Sequence, residues 1–582
     1  MNKNLTATQN DYALFLPATS GFYSTFIGKQ RYGNYVDPTR IPPSLHHGIE
    51  SLNYLEPEKG QFYYKWCLYS AGHANLDLTK FDDSEDMFRN RDRSTSWVLG
   101  DSGGFQIGKG VWPADWKNPN CPKAQEKREQ VLAWMDALMD YGMCLDIPAW
   151  VVRSAAGRKA TGITEYADAL QGTFINNEYF IKNRNGNCKF LNVLQGEDHK
   201  DADHWYSQVK QFCDTKIYGD KAFNGWAMGG QNMCDIHLVL LRLVSLIYDD
   251  MLIPGQHDWM HFLGTSKLEW ATVLTDIQRA VRKYHNPNFT ISFDCASPFL
   301  ATANGQVYTN TEIVDRKKWV YRMQAGADDK KYSLDTRLFK DVVVNDGIFN
   351  LFESSPIIDE LAINDVCIYG HGVPNWAEVE LCIDPIRLFK NPELLNNPRY
   401  WITMGDVNKI DKVGATSWDS FSYALLMGHN VWSHVNAVQI SNEAYDQDIV
   451  PAMLVRETHE RVLVREIIDS IFAAPGRNGA NHLINTNSEL WMRIPGTRGR
   501  VGRKTQHAGP VFNTLFEEEF VDDLDDDVDI KKKAVKVKKE KVVKEPKVKK
   551  EKVVKEPKVK AEQKPKIKKE KPQEPTNETT VL

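Results

Sequence analysis

Two aspartates that follow short apolar segments could carry out acid–base or nucleophilic chemistry in this 582-residue chain. Asp101 ends the run Trp97–Gly100 and opens the sequence DSGGFQ, which also supplies a hydroxyl and two glycines. Asp294 follows the apolar segment Phe289–Phe293. A buried strand that stops at an acid presents the carboxylate at the edge of a sheet. Two carboxylates that meet there could divide the roles of nucleophile and general acid/base.

Eight short apolar segments, several of them separated by helical periodicity, predict how these acids are positioned. The predicted strands are Tyr12–Pro17, Trp66–Ser70, Trp97–Gly100, Met143–Leu145, Phe190–Leu194, Gly225–Met228, Met260–Leu263 and Phe289–Phe293. The predicted helices are Ala124–Tyr141, Asp235–Tyr248 and Leu268–Tyr284. This alternation favours an α/β fold of the (β/α)8 TIM-barrel type, with a doubly wound open sheet as the alternative. Such a barrel gathers the carboxyl ends of its strands on one face, where active sites form.

Composition limits the cellular setting of the chain. The hydrophobic content of 42% supports a large packed core. No apolar run approaches the ~18 residues that span a membrane, and the first residues lack a signal-peptide pattern. Nine cysteines without a CxxC pair fit reduced thiols. We therefore expect a cytoplasmic protein, or one in the host cytoplasm if it is viral, with no membrane partner.

Charge separates the C-terminal part of the chain from the rest. Residues 517–530 contain three Glu and six Asp, and residues 531–582 contain 20 Lys and eight Glu. The sequence of Lys536–Pro546 is repeated without change in Lys547–Pro557, and the repeat has too few large apolar groups to form a core. We expect a disordered tail that acts as a solubilising segment or as an arm for polyanions. The predicted organisation is a barrel over 1–470 with an inserted subdomain at about 301–415, an extension with a basic loop at 471–516, an acidic linker at 517–530 and a Lys-rich tail at 531–582.

Six polar strand ends occur in an order that resembles the tRNA-guanine transglycosylase superfamily. They are DSGGFQ at 101–106, LDIP at 145–148, LQGED at 194–198, MGGQ at 228–231, HFLG at 261–264 and FDCASP at 293–298. The resemblance covers roughly residues 10–300 and implies a (β/α)8 enzyme. Members of this superfamily are glycosyltransferases that exchange guanine in a polynucleotide for a 7-deazaguanine without cutting the backbone.

The resemblance also implies roles for individual residues. Asp294 matches the nucleophile that forms a covalent intermediate with the sugar, and Asp101 matches the general acid/base. Asp146 matches the acid that accepts hydrogen bonds from the amidine side of guanine, and Gln195 can donate to the guanine carbonyl. The remaining predicted contacts to the base come from Ser102, Gly229 and Gly230.

The chain departs from the superfamily at its zinc site. The C-x-C-x2-C run of the superfamily is absent, and the nearest substitute is Cys367, His371 and Cys382. These residues could form a partial structural zinc site, or they could lie near one another by chance. No organic cofactor is expected.

Nucleic acid is the expected partner. Arg153, Arg158 and Lys159 follow the Asp146 strand end, and a second basic segment contains Arg498, Arg500 and Arg503. Each segment could bind phosphates or could be an ordinary solvated surface.

The identity of the polynucleotide is left open by the resemblance. The missing zinc run, the insertions and the Lys-rich tail are more similar to the virus-associated DNA-guanine transglycosylases, so DNA is favoured. Modification of tRNA of the queuosine or archaeosine type is the main alternative. A non-catalytic partner subunit is a third possibility, but the presence of both Asp101 and Asp294 argues against it. The second substrate would be a 7-deazaguanine free base, and a homodimer is allowed.

Overall fold

The computed structural model describes the amino-terminal five-sixths of the chain with several gaps. The described residues are 2–9, 11–29, 41–79, 86–196, 198–230, 235–325, 335–342, 354–367, 420–457 and 461–494. They all belong to the first of two units, which spans Met1–Asp525. The predicted acidic linker, the Lys-rich tail and the predicted phosphate contacts at Arg498, Arg500 and Arg503 lie outside the described residues.

Eight parallel strands form a nearly closed barrel. They are β1 (Leu14–Pro17), β2 (Trp66–Ser70), β3 (Trp97–Asp101), β4 (Tyr141–Met143), β5 (Lys189–Leu194), β6 (Gly225–Met228), β7 (Trp259–Phe262) and β8 (Thr290–Cys295). Their order in the sheet is β1-β8-β7-β6-β5-β4-β3-β2, and a bridge between Ala18 and Leu68 brings β1 next to β2. This sequential order confirms the predicted barrel. A doubly wound sheet would instead reverse its strand order at a switch point.

The eight predicted strands are all present, but the bounds of some differ by up to two residues. The largest shift is in β4, which was predicted over Met143–Leu145 and ends at Met143. Its pairing stops where Met143 lies opposite Leu191, although the chain remains buried through Ile147. An apolar run in the sequence indicates which residues are buried, not which are paired in the sheet. The predicted bounds of β4 are shifted because the buried residues continue past the last paired one.

Helices follow most of the strands and cover the outside of the barrel. They are Gly21–Lys29, Asp86–Arg89, Gly104–Gly108, Pro122–Leu138, Ala155–Thr161, Tyr166–Asn183, His199–Val209, Thr215–Tyr218, Ile236–Tyr248, Leu268–Tyr284, Ser297–Ala303, Ile363–Val366, Ser420–Asp446, Val464–Ala473, Gly476–Thr486 and Ser488–Trp491. The helix predicted from Asp235 begins one residue later, because the Asp235 carboxylate caps it by accepting from the His237 and Leu238 N–H groups. Within the described ranges, none of these helices has both the length and the apolar character needed to cross a bilayer.

Large aromatic rings fill the amino-terminal end of the barrel interior. The rings of Trp97 and Trp259 stack with their centroids 4.2 Å apart, and Tyr141 lies 5.2 Å from Trp259. Because side chains alternate along a strand, the face of β3 that carries Trp97 also carries Asp101, and the face of β7 that carries Trp259 also carries His261. The interior therefore changes from aromatic at one end to polar at the other.

Later elements pack around the barrel. Of the predicted inserted subdomain at about 301–415, the structure describes residues 301–325, 335–342 and 354–367. They include the antiparallel pair β9 (Gln306–Glu312) and β10 (Val320–Ala325) and the helix Ile363–Val366. A short pair, β11 (Val455–Glu457) and β12 (Arg461–Leu463), precedes the helices Val464–Ala473 and Gly476–Thr486. These two helices pack against the barrel helices Leu268–Tyr284 and Ile236–Tyr248, respectively.

Candidate active site

A cavity lies at the carboxyl ends of the barrel strands. Its volume of about 110 Å³ has room for a small organic molecule, because one water needs only about 10–15 Å³ of such space. The predicted site residues on its wall are Asp101, Asp146, Gln195, Gly229, Gly230 and Asp294. These six residues come from five separate segments, at the ends of β3, β4, β5, β6 and β8, that are brought together by closure of the barrel.

The Asp294 carboxylate is held by one of its two oxygens. Its Oδ1 accepts from the Gly264 N–H at 2.9 Å and lies 3.1 Å from Nε2 of His261. Among the described residues, Oδ2 has no hydrogen-bond partner, and the residue lines the cavity. A carboxylate with one oxygen fixed and the other available is suited to attack an electrophilic carbon.

A chain of polar groups extends behind Asp294 into the barrel. Nδ1 of His261 lies 2.9 Å from the Ser292 hydroxyl, which also accepts from the Trp259 indole N–H at 2.8 Å. His261 and Ser292 are fully buried and lie opposite each other on β7 and β8. No role was predicted for the histidine of the strand end HFLG at 261–264. Period-two alternation from Trp259 could have placed that histidine on the interior face.

Asp101 lies at the end of β3 beside the last residue of β2. The Ser70 hydroxyl donates to Asp101 Oδ2 at 2.6 Å, and the Gly72 N–H donates to the same hydroxyl oxygen at 3.1 Å. Desolvation in the cavity wall raises the pKa of Asp101, the Ser70 hydrogen bond opposes this, and the nearby Asp294 charge raises the pKa further. This upward shift in the pKa of Asp101 is in the direction that a general acid requires. Sequence reasoning missed Ser70, although it predicted the strand that ends there.

Asp146 and Gln195 form a polar pair on another part of the wall. Gln195 Nε2 donates to Asp146 Oδ2 at 2.7 Å, and both residues are buried. Burial raises the pKa of Asp146 to about 7, with the Gln195 hydrogen bond lowering it and the Asp101 charge raising it. Gln195 Oε1 is buried without a hydrogen-bond partner among the described residues. An unsatisfied buried acceptor beside a cavity is suited to a polar ligand.

Two glycines of DSGGFQ allow the chain to approach the Asp146 segment closely. Gly103 adopts a left-handed conformation with φ of 82°. A Cβ on Gly104 would lie 2.7 Å from the Asp146 carbonyl oxygen and 2.9 Å from Asp146 Oδ1. Any side chain at Gly104 would displace this carboxylate. Ser102 is buried, but it is not on the cavity wall, and its hydroxyl has no hydrogen-bond partner within the described part of the chain.

The cavity also has an aromatic wall next to the predicted basic segment. Phe105 and Trp150 both line the cavity, and their ring centroids are 6.0 Å apart. Arg153 and Lys159 follow Trp150 closely in the sequence, and both are exposed to solvent. Arg153 Nη2 lies 3.7 Å from an Asp201 carboxylate oxygen. The guanidinium of the half-buried Arg158 donates to the carbonyl of Val152 at 2.7 Å. The chain thus carries positive charge beside the cavity wall.

The predicted zinc ligands are only partly within the described residues. Cys367 is fully buried in the hydrophobic core, whereas His371 and Cys382 lie outside the described residues. In the ranges that the structure covers, no three His, Cys, Asp or Glu side chains form a group that could hold a metal ion. Zinc at this place stays a prediction.

Comparison with known proteins does not identify a family. Neither a scan against protein-family models nor a search of curated proteins finds a match for this chain. A function for this chain is therefore inferred from the geometry and chemistry of the cavity together with the motifs that form it.

Proposed function

We propose that the protein is a guanine transglycosylase that exchanges guanine in DNA for a 7-deazaguanine. The observation that carries the proposal is the placement of Asp101 and Asp294 on one cavity, with the pKa of Asp101 raised by burial and one oxygen of Asp294 available. This is the division of roles that a retaining exchange at a glycosidic carbon requires. The superfamily resemblance of the six strand ends points to the same reaction.

The first half of the reaction breaks the bond between guanine and the sugar. Asp294 Oδ2 attacks the anomeric carbon, and the carbon–nitrogen bond to guanine breaks as the carbon–oxygen bond to Asp294 forms. The departing base takes the proton of Asp101 and leaves as neutral guanine. The product is a covalent ester between Asp294 and the sugar, with the polynucleotide backbone intact.

The second half reverses these steps with a different base. A ring nitrogen of the incoming 7-deazaguanine attacks the anomeric carbon, and its proton passes to the Asp101 carboxylate. The carbon–oxygen bond to Asp294 breaks and releases the carboxylate. Two inversions at the same carbon restore the original stereochemistry, and Asp101 recovers its proton for the next cycle.

The polar pair of Asp146 and Gln195 fits the recognition of guanine. An ionised Asp146 can accept from the amidine N–H groups of the base, while the backbone at Gly229 and Gly230 lies on the wall next to Gln195. The target base must leave its stack to reach this cavity, as in other enzymes that act on bases. The aromatic wall of Phe105 and Trp150 offers apolar faces for the extruded base.

An exchange assay with isotope-labelled guanine tests the proposal. Purified protein is incubated with labelled guanine and either double-stranded DNA or bulk tRNA, with Asp294→Asn as the inactive control. Label should enter the DNA and not the control reaction. Label in tRNA alone would replace DNA by tRNA as substrate, and label in neither polynucleotide would refute the proposed activity. Nucleoside mass spectrometry of DNA from cells with and without the protein would identify the inserted base.

A further inference from the structure

We propose that His261 is a positioning residue that donates a hydrogen bond from Nε2 to Asp294, and that Trp259 and Ser292 set the direction of this bond. The inference rests on the proposed function, because it explains how the nucleophile of that reaction is held. Its basis is the series of hydrogen-bond contacts Trp259–Ser292–His261–Asp294, in which Ser292, His261 and Asp294 are buried.

The direction of every hydrogen bond in this chain follows from its first member. The indole N–H of Trp259 can only donate, so the Ser292 oxygen must accept from it. Within the described residues, the Ser292 hydroxyl has one other hydrogen-bond partner, Nδ1 of His261 at 2.9 Å. Its hydrogen therefore points to that nitrogen, and Nδ1 acts as the acceptor. A neutral imidazole that accepts at Nδ1 carries its proton on Nε2, which faces Asp294 Oδ1 at 3.1 Å.

The opposite arrangement would leave unfavourable contacts in a buried place. If His261 carried its proton on Nδ1, the lone pair of Nε2 would face the Asp294 carboxylate. The Ser292 hydroxyl hydrogen would then have no acceptor among the described residues, although Ser292 and His261 are fully buried. An unsatisfied buried polar group costs about 1–3 kcal/mol. The Trp259 donor thus selects one tautomer of His261 through the Ser292 hydroxyl that lies between them.

This tautomer holds Asp294 in a defined rotamer. Oδ1 receives two hydrogen bonds, from His261 Nε2 and from the Gly264 N–H, which come from one strand and from the loop after it. Rotation of the carboxylate would break both bonds. This series of hydrogen-bonded side chains is itself held in place, because Trp259 stacks on Trp97 inside the barrel. The arrangement leaves Oδ2, the oxygen that the proposed reaction uses, without a hydrogen bond from the described residues on a side chain that lines the cavity.

Three variants separate a positioning role from a structural one. His261→Phe removes the donor and keeps a ring of similar size, and His261→Gln can return an amide N–H close to the position of Nε2. The matched control is His257→Gln, because His257 is equally buried and, among the described residues, its ring nitrogens hydrogen-bond to the backbone of Ile253 and Cys213, away from the cavity wall. Thermal unfolding of all variants measures the part of each effect that is due to stability.

The kinetic readout is labelled-guanine exchange into DNA, or into tRNA if that is the active substrate. We expect His261→Phe to lower kcat by roughly 10- to 100-fold, because a misplaced nucleophile loses the alignment of the reacting atoms. The KM for free guanine should change by less than about twofold, since base contacts remain. His261→Gln should recover much of the lost kcat, and His257→Gln should keep the wild-type kcat. A His261→Phe variant that turns over like wild type would overturn the inference.

A second readout does not depend on the reaction. In protein labelled with ¹⁵N-histidine, the His261 signals are those lost in His261→Gln, and we expect the pattern of the Nε2–H tautomer. The Nδ1–H pattern would overturn the inference even if the exchange activity is present. A wild-type protein that exchanges no base refutes the proposed function and not the tautomer, so the two failures are distinguishable.

Discussion

Wild-type protein should become less stable as the pH rises, because the buried Asp146 then loses its proton. Replacement of Asp146 by Asn should remove this part of the pH dependence. Burial raises the pKa of Asp146 from 3.8 to about 7. The folded protein therefore binds this proton more tightly than the unfolded chain does. Its contribution to stability is complete below pH ~4 and is lost as the pH rises through about 7.

The size of the effect follows from the shift in pKa. About three pKa units correspond to about 4 kcal/mol in total, at about 1.4 kcal/mol per unit. Between pH 5 and pH 8, roughly 3 kcal/mol of this should be lost in wild type. Asn at position 146 is neutral at both pH values and keeps an oxygen that can accept from Gln195. The part of the loss that is due to residue 146 should therefore be absent from this variant.

Urea unfolding of both proteins at pH 5 and pH 8 measures this difference directly. The free energy of unfolding of wild type should fall relative to Asp146→Asn by about 3 kcal/mol over this range. Asp276→Asn is the matched control, since burial also raises the pKa of Asp276 to about 7 but Asp276 lies outside the cavity. Wild type should also lose about 3 kcal/mol relative to Asp276→Asn between pH 5 and pH 8. The affinity of Asp276→Asn for the free base should equal that of wild type. Equal pH dependence of wild type and Asp146→Asn would refute the reasoning.

Three further outcomes are expected. Asp146→Ala should weaken binding of the free base by about 1–3 kcal/mol, and calorimetry that finds unchanged affinity would remove Asp146 from base recognition. Joint replacement of Arg153 and Lys159 by Ala should lower the slope of log Kd for DNA against log salt by about one per lost phosphate contact, and an unchanged slope would place the DNA elsewhere. Deletion of 531–582 should spare turnover at saturating DNA but weaken DNA binding at low salt, which filter binding would show; an unfolded product would contradict the predicted disorder of the tail.

The barrel and the acids on its cavity could be predicted because strand ends are local signals. Apolar runs that stop at Asp101 and Asp294 predict both the strands and the face on which they end. Parallel strands of a barrel then bring these distant residues together without any knowledge of their contacts. The inference needs only the correct strands, and it tolerates the two-residue error in β4.

The partners of these acids could not be predicted in the same way. Ser70 contacts Asp101 because the register pairs these two residues, and register depends on the packing of the whole sheet. His261 on β7 contacts Asp294 on the neighbouring strand β8. The Trp259 donor that orients His261 lies two residues before it on the same face of β7. The raised pKa of Asp146 depends on burial that the sequence LDIP does not reveal.

Identification of a covalent intermediate on Asp294 tests the central claim most directly. The protein is mixed with DNA, quenched in denaturant and digested, and peptides that carry a nucleic-acid adduct are sequenced by mass spectrometry. Our account predicts an adduct on Asp294 in wild type, a loss of the adduct when free base is added, and no adduct in Asp294→Asn. An Asp294→Asn protein that still exchanges bases, or an adduct on a different residue, would contradict the account.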